Sequence, residues 1–566
     1  MIADSAALAG NEDLSADLAV VGAGPAGIVT ALEVASRGFD VLLVESGQRA
    51  FHPEIQQLAE AAEWDQQRHS PMSMAVRRQL GGTSVIWGGK CVPLDPVDFD
   101  HRGFISASAW PVSYGELLPY FQRACDWMAC GRAVFETTSM RHLPSTLVPG
   151  LWDGEVRASS LERWSLPTNF GRAYRQRLNR SARVRVITGL TCTEVSCRPG
   201  DRSVDHLECR SLDGKHVRIR ARAYVLAAGG LESTRLLLAS AGPSGVPLGD
   251  HSGHLGSWYM SHVEGVIANV RFFTDPRQTV FGYERDIDGT YVRRRFTVTQ
   301  EVQRKLELPN VAAWLANPEL ADPRHGNAVL SFVYLALRSP LGRLVSPDAQ
   351  RLSMTGEDVP GSPYGGAEKG PAREHLKNIA LGSASAARFA ASFGTRRFLA
   401  RGRRVPGFFV YSPQNLYPLQ YHGEQAPNPR SRVSLTSSRD ALGVPKLRID
   451  IQFLPQDVDG IVRTHQLWDD YLRRRGCGRL EYTSEDAAAT VRSRIGGAFH
   501  QLGTTRMAEL PENGVVDKNL AVHGVRNLFV ASSSVFVTSG QANPTFTIVV
   551  LALRLADRLR SVLREL

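Results

Sequence analysis

The clearest pattern of apolar and polar positions opens the chain. Asp17 to Val21 is an apolar run of strand length and a glycine-rich turn follows. Ile28 to Ser36 has its apolar residues at helical spacing, and Val41 to Val44 is a second apolar run that ends in Glu45. This order predicts a β-turn-α-β crossover between parallel strands. Further on, residues 183–195 and 217–228 alternate in β style and predict strands of an antiparallel meander. Ala227 to Gly230 is a turn of small residues, and Leu231 to Ser240 then shows helical periodicity. The middle of the chain, residues 270–490, is richer in Arg, Pro and aromatic residues. Strands are predicted there around 288–299, 327–337 and 446–453. Residues 339–373 are rich in Ser, Pro and Gly and read as a long loop or lid. Residues 374–404 read as helical. Near the end, Asn527 to Ala531 is a short buried strand and Thr545 to Leu559 a helix with Ile548, Val549, Leu551, Ala552 and Leu555 inward.

These elements predict an α/β fold. A Rossmann-like nucleotide domain is assembled from discontinuous segments and joined by an α+β substrate domain with a mainly antiparallel sheet. The expected divisions are 1–105 and 181–265 for the first two parts of the nucleotide domain, with 106–180 a helical and loop extension between them. Residues 266–490 form the substrate domain, with a lid-like insertion at 339–404, and 491–566 return to the nucleotide domain.

The opening glycines give the crossover its chemistry. Gly22 permits the tight turn, Gly24 lets the backbone approach a pyrophosphate, and Gly27 lets the helix pack close to the strand. The helix N-terminus offers free N–H groups to phosphates, and Glu45 can accept hydrogen bonds from a ribose diol. The motif leaves FAD and NAD both open. A second glycine-rich stretch, LGGTSVIWGGK from Leu80 to Lys90, holds Gly81, Gly82, Gly88 and Gly89 and predicts close backbone approach to a ligand.

A chain of 566 residues is long enough for two or three packed units. With 43% hydrophobic and 22% charged residues it is an ordinary globular mixture. Lys and Arg number 66 against 56 Asp and Glu, a formal charge of +10. That excess is mild, no nucleic-acid module accompanies it, and no nucleic-acid partner is expected. The cluster Arg396, Arg397, Arg401, Arg403 and Arg404 is read as a solvated basic face, with contact to a surface or partner as the alternative. The seven cysteines form no CxxC pair and read as buried thiols, so no metal site is expected. No run of about 20 apolar residues occurs, and a soluble cytoplasmic protein is expected.

Two polar constellations stand near the end: His500-Gln-Leu-Gly503-Thr504-Thr505-Arg506-Met507, and Ser539-Gly540-Gln541-Ala542-Asn543-Pro544-Thr545 before the last helix. Together with the opening fingerprint, GGTSVIWGG, AAGGLESTRLLLAS, HGEQAPNPRSRV at His422 to Val433, and the tail VHGVRNLFVASSSVFVTSGQANPTFTIVVLALRLADRL, they make the chain resemble the glucose–methanol–choline flavoenzymes nearly end to end. The resemblance implies FAD and not NAD. It implies cofactor contacts at Gly82, Thr83, Ser84, Gly88 and Gly89, at Val195, Ala228 and Gly229, and at Pro544 and Thr545. It places His500 at the family's catalytic histidine and Asn543 at the second member of the pair.

The implied reaction is oxidation of an alcohol to a carbonyl, with hydride passing to the flavin N5. An imidazole titrates near neutrality and can take the hydroxyl proton, while neutral Asn543 holds the hydroxyl in line. Pro544 preorganises the helix start, which is expected to face the flavin pyrimidine ring. His262 and His422 are read as mainly structural. The sequence departs from many relatives at Gln501, where a second histidine is common, and at Ser532, Ser533 and Ser534, where an acidic residue is common. GGTSVIWGGK lacks a histidine of the kind that tethers flavin in some relatives, so non-covalent FAD is expected. The segment CVPLDPVDFDHRGFISASAWPVSYGELLPYF resembles the form found in family members acting on sugars, glycosides and related natural products; with the long insertion, this resemblance implies a sugar, glycoside or aminocyclitol-type alcohol, with oxygen or another electron acceptor. An aminoglycoside-type substrate requires carboxylates in the pocket. Two other readings stay open: non-alcohol chemistry in the same family, and a non-catalytic flavin-binding subunit.

Overall fold

In the computed structural model, which describes residues 1–165, 168–198, 202–242, 245–251, 253–357, 369–497 and 499–565, the opening crossover forms from strand Asn11–Val21, helix Pro25–Ala35 and strand Val41–Glu45. The first strand begins well before the apolar run, because Asn11–Ala16 pair with His216–Ala221. Parallel pairing then runs from Ile2–Asp4 through Val184–Thr188, Val41–Glu45 and Asn11–Val21 to His216–Leu226. Leu528–Val530 adds to the far end of His216–Leu226, also in parallel. The meander is built from Thr191–Cys197, Val204–Arg210 and His216–Leu226. Val184–Thr188, expected in it, is instead a parallel strand. Helix Thr545–Glu565 packs on helix Pro25–Ala35, so distant segments close one apolar core.

The second sheet is antiparallel throughout. Its order is Gly478–Tyr482, His262–Phe272, Leu416–Glu424, Val311–Leu315, Tyr291–Val298, Val156–Trp164 and Lys90–Cys91, with Glu284–Arg285 paired outside Tyr291–Val298. Side chains alternate between faces along each strand. One face carries Val263, Tyr421, Ala313 and Phe296 against Ile461 and Trp468 of helix Pro455–Arg474. The other face turns toward the nucleotide domain. Val156–Trp164 supplies a strand from within the stretch expected to be a helical and loop extension. A small third sheet joins Arg432–Arg439, Pro445–Asp450 and Glu63–Trp64.

Residues 327–337 are a correction: they form helix Ala328–Arg338 and not a strand. Asn327 caps it, its side chain accepting from the N–H groups of Val329 and Leu330. The expected loop at 339–373 contains helices Pro340–Val345 and Asp348–Met354, and its residues 358–368 lie outside the described residues. Of residues 374–404, expected to be helical, those up to Leu399 lie in helices and 400–404 do not. In the basic cluster, Arg397 donates to the Val405 carbonyl at 3.0 Å and Arg403 to the Ala129 carbonyl. These two arginines brace the protein's own backbone. Among the described residues no helix is long and apolar enough to cross a membrane.

Candidate active site

A cavity of 1050 Å³ runs from the first glycine turn, past Glu45, to His500 and Asn543. Gly22 sits at φ +98°, and a Cβ there would stand 2.6 Å from the Ala227 carbonyl oxygen. A Cβ on Gly27 would stand 1.9 Å from the Gly22 oxygen, so the helix can meet the turn only without that side chain. Gly24 precedes the helix and gives it no side-chain cap, which leaves its first N–H groups for a ligand anion. Glu45 is buried. Its two oxygens accept from the N–H groups of Ala23 and Gly47, both at 2.7 Å. Burial raises its carboxyl to about 7 against the pull of these bonds. Each oxygen keeps a second lone pair for a ribose hydroxyl. Arg78, which sequence reasoning missed, also lines the cavity and donates to Ser46 Oγ at 2.8 Å. A nucleotide cofactor fits this uncapped helix end and glycine-walled cleft.

Most of the expected cofactor residues line the cavity: Gly22, Gly24, Glu45, Gly82, Thr83, Ser84, Gly88, Gly89, Ala228, Gly229, Pro544 and Thr545. Gly27 stands behind the lining in its packing role. Val195 does not line it: the side chain is fully buried in the core, and its N–H donates to Ser240 Oγ at 2.9 Å. Ser532 and Ser533 line the cavity. Ser533 donates to the Gln501 carbonyl at 2.6 Å, which ties the serine segment to the His500 loop. Gln501 also lines the cavity, with its amide on the Met72 sulfur at 3.5 Å.

At the far end of the cavity three imidazoles gather. His262 and His422 stack with ring centroids 4.1 Å apart, and His500 stands edge-on to His262 at 4.8 Å. Burial first, and neighbouring imidazoles and Lys90 after it, push His262 and His422 well below the usual range. Burial, then Lys90, lowers His500 to about 3. All three are therefore neutral near pH 7, each with one N–H and one bare nitrogen.

Their contacts then fix the tautomers. A carbonyl only accepts, so His422 donates from Nδ1 to Gln541 O at 2.7 Å, and His262 donates from Nε2 to Ser539 O at 3.3 Å. His262 Nδ1 is thereby an acceptor. His500 Nδ1 lies 3.0 Å from it and must donate. This leaves His500 Nε2 as a lone pair, which receives the Asn543 Nδ2 amide at 3.0 Å. A neutral imidazole with this lone pair free to a hydroxyl is a proton acceptor, and the amide beside it is a donor to the same oxygen. The three rings also bring ligating nitrogens within 4.8 Å of one another, close enough for a metal ion. The bonding chain already engages His500 with His262, and His262 and His422 with carbonyls.

Charged residues surround the histidines on the same face of the second sheet. Lys90 Nζ stands 3.8 Å from the Trp314 ring centroid and 3.4 Å from Glu162. Glu162 accepts from Arg293 Nε at 2.6 Å, and Arg295 donates to Gln541 and Ser160, each at 2.7 Å. Burial, against Glu162, lowers Lys90 to about 8. Lys90 closes the second glycine-rich stretch and Gln541 lies in the Ser539 to Thr545 constellation, but Glu162, Arg293 and Arg295 carry no sequence motif. Only the register of distant strands brings them together.

Residues 427–552 match the GMC oxidoreductase family and residues 20–51 the NAD(P)-binding Rossmann-like domain. The chain is 24% identical to paromamine 6'-oxidase of Streptomyces fradiae over 96% of this chain and 91% of that one. It is 25% identical to 6'''-hydroxyparomomycin C oxidase of Streptomyces lividus over 98% and 92%. Pyridoxine 4-oxidase from Mesorbium loti shares the fold with a TM-score of 0.51 at 17% identity, over 96% of this chain and 98% of that one. The chain is similar to the glucose–methanol–choline oxidoreductases, by the family model over residues 427–552 and by these relatives over nearly its whole length, and is an FAD-dependent alcohol oxidoreductase.

Proposed function

We propose that His500 Nε2 is the base that takes the hydroxyl proton of a sugar, glycoside or aminocyclitol-type alcohol, and that Asn543 aligns that hydroxyl. The observation that carries this reading is the chain from Ser539 O through His262 to His500, which leaves the Nε2 lone pair beside the Asn543 amide. A substrate oxygen entering between them donates to Nε2 and accepts from Nδ2. The proton then rests on His500, whose Nδ1–H stays on His262. Bound FAD supplies the acceptor for the hydride leaving the same carbon. Gly22, Gly24 and the start of helix Pro25–Ala35 would hold its pyrophosphate, and Glu45 its ribose. Pro544, Thr545 and the glycines from Gly82 to Gly89 would flank its ring system.

The substrate class rests on the relatives named for paromamine and hydroxyparomomycin, which match nearly the whole chain at low identity. Dissociable FAD is supported by the lining, in which His500 is the one histidine among the described residues. The test begins with the visible spectrum of the purified protein. Sugars, glycosides and aminocyclitols are then added without oxygen. Bleaching of the flavin band by one of them supports the reading, and readmitted air separates an oxidase from a dehydrogenase. Flavin left in the pellet after acid precipitation would refute dissociable FAD. A protein that cannot be loaded with FAD would refute the whole reading.

A further inference from the structure

The carboxylates on and beside the inner face of the second sheet differ in one respect. Glu424 is fully buried and grips Arg102 through both oxygens at 2.6 and 2.7 Å, and it accepts the Asn310 N–H at 3.1 Å. Glu162 is shared by Lys90 and Arg293. Asp95 accepts from Gln541 at 2.8 Å and Asn310 at 3.0 Å. The side chain of Glu264 is half-buried and meets no hydrogen-bond or ion-pair partner among the described residues. It follows His262 by two positions on strand His262–Phe272, and its register partner across the sheet is His422. Alternation therefore puts its side chain on the face that carries both histidines. The next strand out, Gly478–Tyr482, pairs no further than Ala268, which leaves the strand edge at residues 262–266 without a strand partner on that side.

A carboxylate in such a place is costly to keep charged without a partner. Burial raises Glu264 to about 7, with Lys90 as the opposing influence. The nearby cations are already engaged: Lys90 and Arg293 with Glu162, and Arg295 with Ser160 and Gln541. At about 3.3 Å of rise per residue, Glu264 lies about 6.5 Å along the strand from His262, the imidazole that contacts His500.

We propose that Glu264 is the specificity-determining residue of this site and binds a protonated amine of the substrate about one sugar ring away from the carbon that is oxidised. The substrate class is thereby narrowed from sugar-like alcohols in general to amino sugars and aminocyclitols. This rests on the reading that the site oxidises an alcohol beside His500.

The test compares methyl glucosaminide with methyl glucoside, the same ring with and without the amine. Anaerobic bleaching of the flavin is followed in the FAD-loaded wild-type protein, Glu264→Gln and Glu264→Asp. The readout is the ratio of the two half-saturating concentrations within each protein. In wild type the amine is expected to be preferred by about 10-fold or more, as a charge-assisted contact implies. Glu264→Gln brings the ratio close to one, and Glu264→Asp restores part of it. A preference that survives in Glu264→Gln, or that is missing from wild type, overturns the proposal while leaving alcohol oxidation intact. If neither compound bleaches the wild-type flavin, the oxidation reading falls for this class and the proposal falls with it.

Discussion

Strand Val41–Glu45 and strand Tyr291–Val298 are both buried along their whole length, yet they are buried by opposite means. The first is VLLVE, inside a parallel sheet whose neighbours are equally apolar. The second is YVRRRFTV, with three consecutive arginines. Arg293 is met by Glu162, Arg294 by Glu284 at 2.8 Å, and Arg295 by Ser160 and Gln541. In the cofactor sheet, removal of apolar surface from water stabilises the strand without regard to partner identity. In the second sheet each buried charge depends on specific named partners. The first kind of burial gives a stable platform. The second gives a sheet face with a defined charge pattern.

The sharpest way to break this comparison is at the histidine that sits between the two sheets. His500→Ala should slow anaerobic flavin reduction by about 10²–10⁴-fold, the usual contribution of a positioned base, with the flavin spectrum retained. Next in size is Glu162→Ala, which strands Lys90 and Arg293. It should cost about 3–5 kcal/mol in denaturant unfolding. The triple variant Lys90→Met, Glu162→Leu, Arg293→Met should recover most of that loss, since the charges go together. Leu43→Ala in the cofactor sheet should cost a similar amount, about 2–5 kcal/mol, and no change in charge should recover it.

Smaller effects probe the tautomer chain. His262→Phe removes the acceptor for His500 Nδ1–H and should slow reduction about 10–100-fold, the size of one lost buried hydrogen bond. His262→Asn, which can offer its side-chain oxygen, should lose less. The smallest effect concerns pH. His500 is lowered to about 3, so its base form is present at every pH above that value. The reduction rate should hold as pH falls through 6.5, where a free imidazole would protonate. Lys90 is the second cause of the lowering, so Lys90→Met should raise the His500 value and move the acid limb of the rate profile toward neutral pH. Stopped-flow reduction across pH reads both.

What was legible in the sequence follows the same division. The turn from Gly22 to Gly27, strand Val41–Glu45 and helix Thr545–Glu565 are local patterns, and apolar periodicity finds them. Helix Ala328–Arg338 was misread as a strand because AVLSFVYLALR is a short apolar run with aromatic and β-branched residues, which periodicity cannot divide between helix and buried strand. Asn327 at its start was the available signal for a helix. His500 and Asn543 stood in recognisable motifs. His262 and His422 are 160 positions apart and meet only through the register of two strands. Glu162 and Glu264 carry no motif, and their importance comes from which cations they do or do not meet.

Strand Leu528–Val530 pairs with Tyr224–Leu226, and that pairing has a consequence for the protein as it is being made. From residue 226 to residue 530 the ribosome must add 304 residues. At about 5–20 residues per second this takes about 15–60 s. Throughout that interval the nascent cofactor domain has an open edge at Tyr224–Leu226, and helix Thr545–Glu565 has not yet covered helix Pro25–Ala35. An open apolar edge is a template for pairing with other chains. Production at lower temperature, with chaperones available and FAD present when synthesis ends, should therefore favour soluble protein.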